Sequence, residues 1–223
     1  MLEYNEFYLS LIRHGESVVN ITPDVMGQSG DTPLTERGWL QANLLNEGLY
    51  RSNVDFDHVF VSDYKRAHDT AISAMGEDFP IILAPALREY DAGDWNGASR
   101  KKELTEDVRL KMGLMGSGFC PPNGESMHMV ERRASKWLED TILYNKEIIA
   151  EAKDRKDKKE RPTEIACFSH GMTIRCILHY IMGFDQNFIW KINIDNTSIS
   201  KLHFGKDGWR LISINDTSHL SRY

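Results

Sequence analysis

The amino-acid sequence predicts an α/β fold: a three-layer α/β/α sandwich around a mostly parallel central sheet. Short apolar runs, typical of buried strands, alternate with longer stretches whose apolar residues recur at helical spacing. The chain has 223 residues, of which 41% are hydrophobic, and this suffices for a sizeable core. One stretch, residues 89 to 124, breaks the alternation because it is rich in glycine, aspartate and proline.

The first half of the chain supplies three predicted strands. Phe7 to Ile12 is a short, mostly apolar run with two aromatic residues, and it predicts the first strand. Thr35 then precedes a helix whose leucines recur at helical spacing. His58 to Val61 predicts the second strand, with Ser62 as the N-cap of the following helix, and Pro80 to Ala84 predicts the third.

We expect a single domain, residues 1–223, with a small cap insertion at about 90–124. A short amphipathic piece is predicted inside this insertion, at roughly 100 to 115. A long irregular stretch within a compact domain is typical of a segment that folds over a binding site.

The C-terminal part of the chain is predicted to hold the longest helix, Ser126 to Glu151, whose apolar residues fall on one face. Lys153 to Arg161 mixes both signs of charge, which predicts a solvated loop and not a basic binding patch. The remaining predicted elements are a strand at Ile165 to Phe168, a helix at Met172 to Met182, and a hairpin of Ser198 to Phe204 with Trp209 to Ile214.

Composition excludes several classes of protein. The formal net charge of −6 argues against nucleic acid as the main partner. The three cysteines are odd in number and lack CxxC spacing, which predicts free thiols in a reducing compartment. The N-terminus does not resemble a signal peptide, and no run of about eighteen apolar residues could span a membrane. We therefore expect a cytoplasmic protein with no membrane partner.

Basic side chains follow three of the predicted strands. Arg13 and His14 end the first strand, Arg66 lies in the first turn after the second, and His170 and Gly171 follow the fourth. The carboxyl ends of parallel strands meet at one edge of a sheet, where ligands bind. Helix starts add free N–H groups and partial positive charge there. Two arginines and two histidines at this edge indicate a doubly negative, tetrahedral ligand: a phosphate.

His14 is the candidate nucleophile of this cluster. The neighbouring Arg13 lowers the pKa of its imidazole and so favours the neutral, nucleophilic form. A metal site is the alternative, but the histidines lack a second ligand at helical spacing, and Arg13 would oppose a divalent cation. We therefore predict no metal and no cofactor.

Phosphoryl transfer at this edge would take two steps, with attack by His14 followed by attack of water on the phosphohistidine. Arg13, Arg66 and His170 would hold the equatorial oxygens of the phosphoryl group. The leaving alkoxide needs a proton, so a carboxylic acid must stand nearby. Glu89 follows the third strand most closely and is the preferred acid, with Asp91 as the second choice.

Several motifs together resemble the histidine phosphatase superfamily, in its phosphoglycerate-mutase-like branch. They are LIRHGESVVN (11–20), GDTPLTERGWLQA (30–42), SDYKRAHDTA (62–71), LREYDAGDWNG (87–97), PPNGES (121–126) with Arg133 downstream, SHGMTIR (169–175) and NTSISKL (196–202). The resemblance implies a phosphoglycerate-mutase-like fold and no metal. It also implies His14 as the phosphorylated residue and Glu89 as the proton donor, with Arg13, Arg66, His170 and Asn20 around the phosphate.

The candidate substrate-binding residues are Asn20, Ser17, Gly27, Gln28 and Gly171. Ser17 and Gly171 belong to the two histidine motifs, and Gly27 and Gln28 stand where the family has a substrate loop. We expect specificity to come from the insertion, at about 98 to 120.

Three functions are compatible with these residues. The leading hypothesis is a phosphomonoesterase acting on a small phosphorylated molecule. The stretch that contains Glu89, LREYDAGDWNG (87–97), is called the acid loop, and its DWNG ending resembles the phosphatase members of the family. The alternatives are a 2,3-bisphosphoglycerate-dependent phosphoglycerate mutase and a catalytically silent module that binds a phospho-ligand. A homodimer is left open.

Some conspicuous residues are predicted to be structural. Arg175 is expected to serve as an ion-pair partner. Trp95, in the acid loop, either anchors that loop or stacks on a substrate. The other tryptophans lie at helical or apolar spacings and are expected in the core: Trp39, Trp137, Trp190 and Trp209.

Overall fold

The computed structural model describes residues 6–22, 24–26, 32–158 and 160–221. Within them lies a six-stranded sheet in the order β3-β2-β4-β1-β5-β6. The strands are β1 (Phe7–Arg13), β2 (His58–Val61), β3 (Ile82–Leu83), β4 (Thr163–Ser169), β5 (Ile199–Gly205) and β6 (Gly208–Asp216).

The sheet is mostly parallel. Strand β4 pairs in parallel with both β1 and β2, and β2 pairs in parallel with β3. Strands β5 and β6 extend the sheet beyond β1 as an antiparallel hairpin. The carboxyl ends of β1, β2 and β4 therefore lie side by side, as the sequence predicts, and they place the functional side chains.

Helices cover both faces of the sheet. They are α1 (Val18–Ile21), α2 (Glu36–Arg51), α3 (Lys65–Met75), α4 (Arg100–Glu103), α5 (Glu106–Met115), α6 (Met127–Leu138), α7 (Lys146–Asp157) and α8 (Gly171–Met182). Leu11 of β1 packs in one apolar cluster with Leu138 of α6 and Ile174 of α8. The next residue, Ile12, packs in another with Leu45 of α2. Since alternate strand residues face opposite sides, the α/β/α layering is confirmed.

The prediction of one long helix from residue 126 to 151 is wrong. Helix α6 ends at Leu138, and a π-helical turn, Glu139–Leu143, follows it. The side chain of Asn145 then accepts hydrogen bonds from the backbone N–H groups of Glu147 and Ile148, and caps a separate helix. That helix, α7, runs to Asp157, so much of the predicted charged loop is helical.

Three further boundaries differ from the prediction. Tyr64, not Ser62, precedes α3 as its N-cap residue. The amphipathic piece is two helices, α4 and α5, because Thr105 accepts a hydrogen bond from the backbone N–H of Val108 and starts a new one. The third strand comprises two residues only, β3.

The tryptophans divide into two groups. Trp137 and Trp209 pack against the core as predicted, but Trp39 and Trp190 are 42% and 61% exposed, so the core prediction is wrong for them. Trp95 is 7% exposed and stacks on Phe119 with 5.7 Å between ring centroids. This contact favours the anchoring role for Trp95.

Within the described part of the chain, no helix is both long and apolar enough to cross a bilayer.

Candidate active site

The loop after β1 carries His14, which is fully buried. The next residue, Gly15, lies against α2: a Cβ atom on Gly15 would stand 2.6 Å from the carbonyl oxygen of Gly38. The backbone N–H of Gly15 donates to Thr70 Oγ1 at 2.9 Å. Glycine is needed at this turn because two backbones approach too closely for any side chain.

Two hydrogen bonds fix the orientation and tautomer of the His14 ring. Its Nδ1 lies 2.6 Å from the carbonyl oxygen of Gly15, which can only accept, so Nδ1 carries the proton. Its Nε2 lies 3.3 Å from Nε of Arg66, which can only donate. The lone pair of the neutral ring is therefore on Nε2.

The electrostatic surroundings keep His14 neutral. Burial lowers the pKa of its imidazole well below 6.5, and the positive charges of Arg13 and Arg66 lower it further. A neutral imidazole with its lone pair on Nε2 is a competent nucleophile at neutral pH.

Arg66 enters the site from the first turn of α3 and is fully buried. Burial lowers the pKa of its guanidinium to about 10, so it remains charged at neutral pH. The guanidinium lies over the ring of Tyr64, 5.2 Å from its centroid. Arg88 contacts the same ring and pairs with Asp63 at the surface.

The side chain of Arg13 is fixed by a hydrogen bond to a residue in the C-terminal part of the chain. Its Nη1 donates to the carbonyl oxygen of Ile194 at 2.6 Å. Burial lowers the pKa of this guanidinium, and Glu89 opposes the shift. Its Nε is buried and has no hydrogen-bond partner among the described residues.

His170 follows β4 and lies beside His14, with 5.1 Å between ring centroids. Ser62 Oγ accepts from the backbone N–H of Tyr64 and lies within hydrogen-bond distance of His170 Nε2, at 2.8 Å. Nδ1 of His170 is buried and has no hydrogen-bond partner within the described residues. Burial, followed by the charge of Arg66, lowers the pKa of His170 well below 6.5.

The unpaired atoms of Arg13 and His170 together indicate the kind of ligand that the cluster suits. Buried polar atoms in proteins almost always have hydrogen-bond partners. Arg13 Nε is a donor, His170 Nδ1 donates when it carries the ring proton, and both belong to the cluster around His14. A cluster of this composition suits the oxygens of a bound oxyanion.

Glu89 lies at the N-terminus of α8 and is 7% exposed. Its Oε2 accepts from the backbone N–H of Met172 at 3.2 Å, and its Oε1 accepts from that of Thr173 at 3.3 Å. Arg133 fixes the segment from behind, since its Nη2 donates to the Glu89 carbonyl oxygen at 3.2 Å and to Glu125. Asp91, by contrast, is exposed, and its Oδ1 accepts from Gly93 N and Asn96 Nδ2.

The candidate substrate-binding residues fall into three groups. Asn20 and Gly171 line a large cavity beside the cluster. Ser17 is fully buried and braces the loop, because its backbone N–H and its hydroxyl both donate to Asn20 Oδ1 at 3.0 Å. Gly27 and Gln28 lie outside the described residues.

The cavity has a volume of about 1160 Å³. Arg13, Glu89, Gly171 and Arg175 line it, and Arg13 and Gly171 directly adjoin the two histidines in the sequence. The predicted ion-pair role of Arg175 is not what the structure shows: its Nε donates to the carbonyl oxygen of Ile192 at 2.8 Å, and the side chain faces the cavity.

The segment just before β5 supports, from behind, the loop that carries His14, and residues 196–198 are expected from the sequence to tie the last strand to this edge of the sheet. The backbone N–H of Thr197 donates to the carbonyl oxygens of Arg13 and His14, and its Oγ1 lies 3.0 Å from Nε2 of His219. No sequence motif identifies His219 as part of this support. Thr70 was also missed, although it lies one helical turn after Arg66 and so shares its face.

Comparison with known proteins identifies a family and several similar proteins. A family profile described as histidine phosphatase superfamily (branch 1) matches residues 9–217. The chain is 35% identical over 159 residues to fructose-2,6-bisphosphatase TIGAR of Xenopus tropicalis, covering 69% of this chain and 55% of the frog protein. It therefore spans only about half the length of the frog relatives that it matches.

Two further relatives match over nearly their full length. One is the Yersinia enterocolitica protein named "Probable phosphoglycerate mutase GpmB", 28% identical, with 94% of this chain and 93% of that protein covered. The other is the structure of phosphoserine phosphatase from Entamoeba histolytica, 27% identical, with a TM-score of 0.74 and coverage of 96% and 99%. Since the profile match extends over most of the chain, the protein belongs to the histidine phosphatase superfamily, branch 1.

Proposed function

We propose that this protein is a phosphomonoester hydrolase that acts through a phosphohistidine at His14 on a small phosphorylated molecule, without a metal ion. The observation that carries the proposal is the buried, neutral His14 whose Nε2 lone pair faces Arg66, with Arg13 and His170 beside it. Two guanidinium groups at this position stabilise an oxyanion and would repel a divalent cation.

The first step forms a bond between His14 Nε2 and phosphorus and breaks the bond from phosphorus to the ester oxygen. The equatorial phosphoryl oxygens carry the charge, and the guanidinium groups of Arg13 and Arg66 and the Nδ1–H of His170 stabilise it. In the second step water attacks phosphorus and the phosphorus–nitrogen bond breaks. His14 is then neutral again, and inorganic phosphate leaves.

Glu89 is the proposed proton donor and acceptor. In the first step it would give a proton to the leaving alkoxide, and in the second its carboxylate would take one from the attacking water. Glu89 lines the cavity and is held by the first N–H groups of α8. Asp91 is exposed and engaged within its own loop, which favours Glu89 over Asp91.

The names of the relatives support phosphoryl chemistry but include both reactions. The frog and Entamoeba proteins are phosphatases by name, whereas the Yersinia protein is named as a mutase. A mutase would return the phosphoryl group from His14 to a second hydroxyl before water arrives. That reaction is the second candidate function.

One experiment separates these functions. The protein is incubated with p-nitrophenyl phosphate in the presence of EDTA, and, separately, in a coupled phosphoglycerate mutase assay with and without 2,3-bisphosphoglycerate. We expect metal-independent release of phosphate that exceeds mutase turnover. Loss of hydrolysis on chelation would contradict the metal-free mechanism, and mutase turnover far above hydrolysis would favour the second function. Tight binding of phosphate esters without any turnover would indicate a silent binding module.

A further inference from the structure

The cavity beside the histidines points to a substrate class, an inference that rests on the proposed hydrolase function. We propose that the preferred substrate is a phosphomonoester whose alcohol part is bulky and apolar or aromatic, and which carries no second phosphate or carboxylate. The cavity lining, its charge balance and its size each support this.

Methionines form a large share of the apolar lining. Met127 and Met172 are each 9% exposed and belong to an apolar cluster with Val130, Cys176 and Ile189. Met26 and Met112 face the same space. Methionine side chains are unbranched and polarizable, so they adapt to apolar groups of different shape.

Aromatic side chains belong to the same apolar part of the lining, which lies beside polar residues such as Ser117 and Gln186. Phe119 faces the cavity and is backed by Trp95, on which it stacks. Trp190 also lines the cavity, although 61% of its surface is exposed to solvent. An exposed tryptophan at a cavity wall offers a flat apolar face to a ligand.

The charges of the wall do not favour a second anion. Away from Arg13, Glu89 and Arg175, the charged side chains among the described lining residues are those of Arg100, Asp24 and Asp185. Both carboxylates bind local donors: Asp24 accepts from Ser99 Oγ and from the backbone N–H of Lys101, and Asp185 accepts from that of Asn187. One cation against two carboxylates gives no surplus positive charge for a second phosphate.

The size of the cavity also exceeds what a three-carbon phosphoester needs. Pockets that enclose drug-sized ligands measure roughly 300–1,000 Å³, and this one measures about 1160 Å³. A small polar substrate would leave the methionine and aromatic wall in contact with water. A bulky apolar alcohol group would cover it, and this burial would favour binding.

A series of alkyl phosphates tests the inference, because their leaving groups have similar basicity and differ in apolar length. We would measure kcat/KM for ethyl, butyl, hexyl and 4-phenylbutyl phosphate, and for 3-phosphoglycerate and fructose 1,6-bisphosphate. Each methylene that enters the cavity should raise kcat/KM by about threefold to fourfold. Hexyl phosphate should then exceed ethyl phosphate on the order of a hundredfold, and should also exceed both polar substrates.

A matched pair of variants on α5 locates the effect in the cavity. Met112 faces the cavity, whereas Leu114 on the same helix is 78% exposed and is not part of the lining. Met112→Gln should lower the hexyl-to-ethyl ratio of kcat/KM on the order of tenfold, because it places a polar amide against the alkyl chain. Leu114→Gln should leave that ratio unchanged.

The outcomes separate the inference from the function on which it rests. A ratio near one for the wild-type protein, or a preference for 3-phosphoglycerate or fructose 1,6-bisphosphate, overturns the apolar class while the hydrolase function stands. A steep chain-length dependence that Met112→Gln and Leu114→Gln lower equally overturns the assignment to the cavity wall. Absence of hydrolysis for every ester overturns the function and the inference together.

Discussion

At the scale of single residues, the reactivity proposed for His14 depends on its three neighbours. The Gly15 carbonyl oxygen accepts a hydrogen bond from Nδ1, and burial together with the charges of Arg13 and Arg66 lowers the pKa of the ring. Arg13 and Gly15 adjoin His14 in the sequence, whereas Arg66 comes from helix α3. The imidazole is therefore neutral and oriented before any substrate arrives.

Glu89 provides the sharpest residue-scale prediction. Glu89→Gln keeps the size of the side chain but removes the acid, so its effect should depend on how much the leaving group needs a proton. With an alkyl phosphate we expect kcat to fall on the order of a hundredfold or more. With p-nitrophenyl phosphate, whose leaving group departs without a proton, the fall should be much smaller.

Steady-state kinetics on both substrates, with Asp91→Asn as the matched control, check this prediction. Asp91→Asn should show no such dependence on the leaving group, since Asp91 is exposed and bonded within its loop. Equal losses on both substrates for Glu89→Gln would mean that Glu89 only shapes the cavity.

The candidate residues at the strand ends could be predicted from the sequence, whereas their supports could not. His14, Arg66 and His170 each follow an apolar run, and parallel strands bring such positions together. The bond from Arg13 to Ile194 joins residues 181 positions apart, and no local pattern encodes it. The contact between His219 and Thr197 depends in the same way on tertiary packing.

At the scale of elements, the loop after β1, which carries His14, packs closely against helix α2. A Cβ atom on Gly38 would stand 2.0 Å from the carbonyl oxygen of Glu16, so Gly38→Ala must displace the loop or the helix. We expect the free energy of unfolding to fall by about 1–3 kcal/mol. Because the loop carries His14, turnover should fall on the order of tenfold or more.

Urea unfolding and steady-state kinetics measure these two effects, with Gly118→Ala as the control. A Cβ atom on Gly118 would find its nearest neighbour, Nδ1 of His128, at 4.0 Å, which is an ordinary contact. A Gly38→Ala variant as stable and active as the control would contradict the close packing of the loop against α2.

The errors in element boundaries have a common physical origin. The apolar spacing of α6 continues into α7, although a π-helical turn and the hydrogen bonds that Asn145 accepts from Glu147 and Ile148 separate the two helices. Thr105 divides α4 from α5 in the same way. Caps end or begin helices locally, whereas periodicity reports only which face is buried.

At the scale of the whole molecule, the two buried histidines of the candidate site link stability to pH. Burial lowers the pKa of His14 and of His170 well below 6.5 in the folded chain. As pH falls below about 6.5, the unfolded chain binds protons that the folded chain does not. The free energy of unfolding should therefore decrease, by up to about 1.4 kcal/mol per pH unit for each histidine.

Urea unfolding between pH 7 and pH 5, in buffer free of phosphate, measures this dependence. His170→Asn removes one of the two groups and should lower the slope by up to about 1.4 kcal/mol per pH unit. His68→Asn replaces a histidine of α3 whose side chain is 42% exposed, and serves as the control. An unchanged slope in His170→Asn would show that His170 does not contribute.

The central claim is that His14 carries the phosphoryl group during turnover, and trapping that group tests it most directly. The protein is mixed with a radiolabelled phosphomonoester, quenched rapidly in base, and the labelled peptide is identified by mass spectrometry. The account predicts an acid-labile, base-stable phosphate on the peptide that contains His14, and neither label nor turnover in His14→Ala with an unchanged circular dichroism spectrum. Label on another residue, or turnover by a folded His14→Ala variant, would contradict it.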